Sequence, residues 1–161
     1  MKSRTEKRTE NDKRVERDVR KYGCHVISVF DPEEKKPNFS YSIGIQRASG
    51  AAEAIVLGLR PELGGFIINE YNRRIRAGKT FKRGKLYSGF LKGFSVYVEP
   101  VRSKLLPNYT LGCDRYYGDE GYTVVQIVWP STTGVWPWEK AASEWLKNNQ
   151  PMLGRVRPNR P

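Results

Sequence analysis

The chain has 161 residues, with 29 Lys or Arg against 17 Asp or Glu and a single His, for a formal charge of +12. That length fits one domain with a real core, and the charge points to an anionic partner, because like charges otherwise oppose compaction. Two cysteines without CxxC spacing exclude a disulfide framework or zinc site, and no stretch reaches the ~20 apolar residues of a membrane span.

Residues 1–21 read as a charged N-terminal helix or extension. Thr9 is placed to cap it with Asp12 three residues on, and Gly23 to end it. Its apolar stripe is thin, with Val15, Val19 and Tyr22 at helical spacing. The charge of this segment leaves no apolar stretch for a secretion signal, so a cytoplasmic location is expected. Residues 22–154 read as a single α+β domain. Cys24–Phe30 is a strand, Asp31–Asn38 a polar connection, and Phe39, Tyr41, Ile43 and Ile45 alternate with small residues as a second strand. After a turn at Ala48–Gly50, Ala54–Leu59 forms a third. Pro61 opens a helix at the position where its missing N–H costs nothing, and Gly78 ends it. Strands at Leu86–Leu91 and Phe94–Val101 precede a turn-rich stretch, Pro107–Gly118. Thr123–Trp129 is the last strand, Trp138–Asn148 the last helix, and 155–161 a basic disordered tail. Strands joined by short turns outnumber helices, which predicts a mostly antiparallel sheet with two or three helices packed on one face.

The clearest chemical signal lies between Tyr71 and Val98. Eight bases (Arg73, Arg74, Arg76, Lys79, Lys82, Arg83, Lys85, Lys92) occur there without one acid. Phe81 and Tyr87 interleave with them, and rings beside cations are the means by which nucleotides and single strands are held. A second concentration is aromatic. Trp129, Trp136 and Trp138 surround one loop, which suits either a pocket wall or a rigid corner. The catalytic inventory is sparse. His25 follows Cys24 in a strand, so the two side chains point to opposite faces and cannot act as nucleophile and base. No nucleophile elbow, P-loop, zincin or dinucleotide fingerprint is present, no carboxylate pair has metal-binding spacing, and neither a cofactor nor a metal is expected.

Several segments, taken together, resemble a known family: Tyr22 to Val29, Pro37 to Ile45, Glu53 to Leu59, Gln126 to Pro130, Gly134 to Trp138 and Gln150 to Gly154. Their order and spacing are similar to the bacterial domain-of-unknown-function family 4262, over about residues 18–154. The resemblance implies a domain but no activity. Tyr41, Gly44, Glu53, Gln126, Trp129, Pro137 and Trp138 match it, which suits a ligand pocket as well as a structural signature. Ala51 and Ser131 stand where such members carry a histidine and an aspartate.

The leading expectation is a non-enzymatic binder of a nucleotide or nucleic acid. Its site residues would be Arg73, Arg74, Arg76, Lys79, Phe81, Lys82, Arg83 and Tyr87, with Tyr41, Glu53, Trp129 and Trp138 as further ligand-binding candidates. Two alternatives stand beside it. One is an inhibitor or adaptor whose basic face meets an acidic protein. The other is a hydrolase of a phosphate-containing substrate, using Glu53 with Asp114 or Asp119.

Overall fold

The computed structural model describes residues 8–33 and 35–154; the expected basic tail lies outside them. Six strands form one sheet: β1 (His25–Val29), β2 (Phe39–Ile43), β3 (Glu53–Leu57), β4 (Leu86–Leu91), β5 (Phe94–Pro100) and β6 (Val124–Val128). Their order is β1-β2-β3-β6-β5-β4. Every pairing is antiparallel except β3 with β6, where Glu53, Ala54 and Ile55 lie beside Val124, Val125 and Gln126 in parallel. The class is α+β with a mostly antiparallel sheet, as the strand pattern predicts.

The helices are divided between the two faces of the sheet rather than sharing one. Both faces of the central strands are apolar, so each needs a cover. Ala54 and Val56 of β3 face α3 (Pro61–Arg76) through Ile67, Ile68 and Tyr71. The alternate residues Ile55 and Leu57 face α1 (Glu10–Tyr22) and α4 (Leu111–Tyr117), through Val15 and Cys113. In α1, Thr9 and Asp12 form the reciprocal capping box, and Gly23 closes the helix with φ +89°. Val15 is its one buried residue, so the helix is docked by a narrow stripe, as its sequence implies.

Two elements differ from the sequence expectation. The second strand stops at Ile43, and Ile45–Ser49 is instead a short helix, α2. Gly44 adopts φ +103° there, ending the extended run, and its Cα lies so close to Val19 that a Cβ would fall 2.4 Å from that side chain. Only glycine fits both conditions. The last helix, α5, is short as well: Ser143 caps Glu144–Asn149, while Trp138–Ala142 form turns held by bonds such as Ala142 N–H to the Glu139 carbonyl. Cys24 and Cys113 are both buried free thiols. Burial pushes Cys24 up to about 12 and Cys113 up as well, which keeps both protonated and unreactive.

Candidate functional site

The residues predicted to bind a ligand separate into two groups in space. The first consists of buried structural residues. Glu53 has no solvent exposure, and both of its carboxylate oxygens are committed. Oε1 accepts from Ser42 Oγ (2.7 Å) and Ile45 N (3.1 Å); Oε2 accepts from Gly44 N (3.0 Å), Gln46 N (3.1 Å) and the Tyr117 hydroxyl. Glu53 thus supplies from β3 the cap that α2 lacks at its own N-terminus, since Gly44 has no side chain to give. Burial pushes its carboxyl upward, while the hydrogen bonds from Tyr117, Ser42, Gln46 and Ile45 pull against that shift. Tyr41 likewise serves the fold, its hydroxyl accepting from Gly112 N at 2.9 Å. Asp114 is taken by the Tyr122 hydroxyl at 2.6 Å. Two of the three carboxylates invoked for a hydrolase, Glu53 and Asp114, are therefore already occupied by the protein's own donors, while Asp119 is exposed.

Trp129 is also fixed from several sides. Its Nε1 donates to the Leu57 carbonyl at 2.7 Å, and its backbone N–H and C=O both pair with the Gln150 side chain, at 2.9 and 2.8 Å. Gln126 repeats the device: its Nε2 donates to the Pro151 carbonyl and its Oε1 accepts from Leu153 N. Two side-chain amides thereby stitch 150–153 alongside β6. At the end of this segment Gly154 presses on β5, where an added Cβ would sit 2.2 Å from the Pro100 carbonyl. The three indoles of the 129–138 loop do not gather into one wall. Trp129 packs on the α3 side of the sheet. Trp136 and Trp138 stack on each other at 5.3 Å and pack at a tilt against Tyr97, whose side chain alternates with Val96 and Val98 and so points to the opposite face.

The segments that carry the resemblance are thus interlocked around β2, β3 and β6. The family model described as Domain of unknown function (DUF4262) matches residues 18–143. The chain belongs to this family. No curated protein and no solved structure matches it. Tyr41, Gly44, Glu53, Gln126 and Trp129, which carry the resemblance to DUF4262, all have structural work in this fold.

The second group, the basic run, comes together only in part. Arg73, Arg74, Lys79, Phe81 and Tyr87 line one cleft of about 400 Å³ with Ala77 and Thr80, between the end of α3 and β4. Gly78 and Lys79 fold back over the helix end, where Lys79 N–H reaches the Arg74 carbonyl at 2.9 Å. Phe81 is not a free stacking ring. It packs among Tyr71, Tyr87 and Phe90, with centroids 4.8 to 5.9 Å away, and forms the apolar floor. The Tyr87 hydroxyl accepts from Lys82 N at 2.6 Å and holds the loop in place.

The run is acid-free in sequence but not in space. Glu70 and Glu99 stand one residue outside its two ends, and both turn inward. Glu70 takes Arg73 through two bonds of 2.9 and 2.6 Å and Arg74 through one of 2.7 Å; these guanidiniums hold its carboxyl down at about 2. The helical spacing of three and four residues is the signal that sequence inspection could have used. Glu99 engages Arg83 at 3.4 Å and accepts from Gly84 N at 2.9 Å, so Arg83 points to a different cleft, shared with Arg102. Arg74 is further fixed by the Ser88 carbonyl at 2.7 Å and the Phe90 ring at 4.1 Å. Arg76 donates to the Tyr22 carbonyl at 2.6 Å. Among the described residues the exposed ammonium groups of Lys79 and Lys82 form no ion pair.

A comparison within the molecule gives this cleft its character. A cleft of about 500 Å³ between α1 and α4 also carries arginines, but Asp12 and Glu16 lie on its wall. There Arg115 is paired with Asp12 at 2.7 Å, Arg47 with Glu120 at 2.6 Å and Arg8 with Glu16. Among the described residues the cleft beside β4 has no carboxylate on its lining. Among the described residues no cluster of His, Cys, Asp and Glu is suited to a metal ion, and no helix is long and apolar enough to cross a membrane.

Proposed function

We propose that this protein binds an anionic ligand, a nucleotide or nucleic acid, in the cleft between α3 and β4, as a cytoplasmic binding protein that performs no chemistry on it. The observation that carries this reading is the lining: Arg73, Arg74 and Lys79 face the cleft with Thr80 and, among the described residues, no carboxylate, over a floor of Phe81 and Tyr87. Arg73 and Arg74 both pair with Glu70, whose carboxylate a bound phosphate has to displace. Lys79 and Lys82 supply exposed cations that form no ion pair among the described residues. The Arg73–Glu70 pair is largely solvent-exposed on the arginine side, at 67%, and exposed pairs of this kind are weak enough for a phosphate to compete.

The test is fluorescence anisotropy with labelled nucleotides and short oligonucleotides, at increasing salt. Binding should weaken with salt, by a slope of about 0.7 in log K per log salt for each phosphate contacted on a single strand. Lys79→Glu combined with Lys82→Glu should abolish binding and leave the thermal midpoint unchanged, because neither ammonium supports the fold. Arg74, Arg76 and Arg83 are unsuitable for this purpose, since each holds a backbone carbonyl or a buried carboxylate. Affinity that ignores both salt and the double substitution refutes the proposal.

A further inference from the structure

A second cleft adjoins the first. It is more open, about 680 Å³, and is lined by Tyr22, Asn69, Asn72, Arg73, Arg76 and Ala77. Arg73 and Ala77 belong to both. They lie four residues apart on one face of α3, so the two clefts form a single groove across the end of that helix, with the small Ala77 at the crossing. What the second cleft presents differs from the first. Phe81 is packed into the core, but the Tyr22 ring is 51% exposed, with Lys21 Nζ at 5.2 Å from its centroid. The Tyr22 backbone is anchored, its carbonyl accepting from both Asn72 Nδ2 (2.8 Å) and Arg76 Nη1 (2.6 Å). Among the described residues the exposed Asn69 amide forms no hydrogen bond. An anchored open ring, flanking cations and an unengaged amide are what a stacked, unpaired base requires.

We infer that the ligand is single-stranded nucleic acid crossing both clefts, with one base stacked on Tyr22 and the backbone running past Arg73 toward Lys79 and Lys82. This rests on the anion-binding reading above and narrows it from a nucleotide to a strand. Tyr22 is a binding residue here, and Asn69 hydrogen-bonds the stacked base. A duplex is a poor ligand, because its bases are already stacked and cannot reach Tyr22.

The experiment compares full-length protein with Tyr22→Ala and Tyr22→Phe. Its probes are thymidine diphosphate, labelled oligothymidylates and oligouridylates of two, four, eight and twelve nucleotides, and a matched duplex. Affinity should rise with strand length before levelling off. Tyr22→Ala should weaken the longer strands about tenfold while leaving thymidine diphosphate unaffected. Tyr22→Phe should bind like the native protein. Equal affinity for the nucleotide and the strands, with Tyr22→Ala silent and Lys79→Glu with Lys82→Glu still disruptive, overturns this inference and leaves the anion-binding reading standing. Duplex binding as tight as single-strand binding also overturns it, and failure of every probe to bind overturns both. Oligothymidylate against oligouridylate affinity then separates DNA from RNA.

Discussion

Replacing Glu53 by Ala would leave five donors inside the protein without their acceptor: Ser42 Oγ, three successive backbone N–H groups of residues 44–46, and the Tyr117 hydroxyl. At about 1 kcal/mol for each unsatisfied donor, the low end of the usual range, the loss is roughly 5 kcal/mol. A domain of this size has on the order of 5–15 kcal/mol in total, so Glu53→Ala should be unfolded or nearly so. Glu53→Gln is the informative variant. An amide can keep its oxygen toward the Ser42 and Ile45 donors or toward the other three, never both. At least two donors then face an N–H₂ group, and the variant should lose about 2 kcal/mol while still folding. With a urea slope of ~1–3 kcal/mol per molar, its midpoint should fall by about 1 M. Urea titration followed by far-UV circular dichroism measures this directly. A Glu53→Gln midpoint equal to that of the native protein would falsify the assignment of Glu53 as the cap of α2.

Two further outcomes are expected. Gln150→Ala removes both partners of the Trp129 backbone and should cost about 2–3 kcal/mol, read as an earlier fluorescence transition in urea. Gln150→Glu, which turns a carboxylate oxygen toward the Trp129 carbonyl at a site without solvent exposure, should cost at least as much. Glu70→Gln should tighten anion binding severalfold, because it releases Arg73 and Arg74, and anisotropy would detect it. The same variant tests a pH dependence. The carboxyl of Glu70 is lowered from 4.5 to about 2 in the folded protein, so its stabilisation is present above about 4.5 and lost as pH falls toward 2. Acid titration of the native protein should therefore show a stability loss in that window that Glu70→Gln lacks.

Most of the fold is legible in the sequence because its strands alternate and its helix ends carry explicit punctuation. The Thr9–Asp12 box, Pro61 at the start of α3 and the alternation from Phe39 to Ile43 all become the elements they signal. The small helix α2 is hidden because its cap comes from a residue on another strand, and no local pattern announces a carboxylate arriving from β3. The division of helices between two faces is equally non-local. It depends on β3 being central, which the apolar run Ala54 to Leu57 permits but does not require. In the candidate site, the window from Tyr71 to Val98 contains the residues that line the cleft between α3 and β4. It overstates the free charge, because Glu70 and Glu99 fall just outside it, and it credits Phe81 with an exposure that belongs to Tyr22. Only packing separates a ring that floors a groove from one that stands open beside it.

The order of strands across the sheet carries a kinetic consequence. β1, β2 and β3 pair in sequence from one edge inward, and β4, β5 and β6 do the same from the other. Each half can assemble from short-range contacts, as a meander does. Within the sheet of the described residues the halves pair only where Glu53 to Ile55 lie along Val124 to Gln126, a closure spanning roughly seventy residues of chain whose entropy must be met before any of its contacts form. The rate of folding should then be governed by that single central joint. Substitutions in the outer hairpins should chiefly alter how fast the domain comes apart.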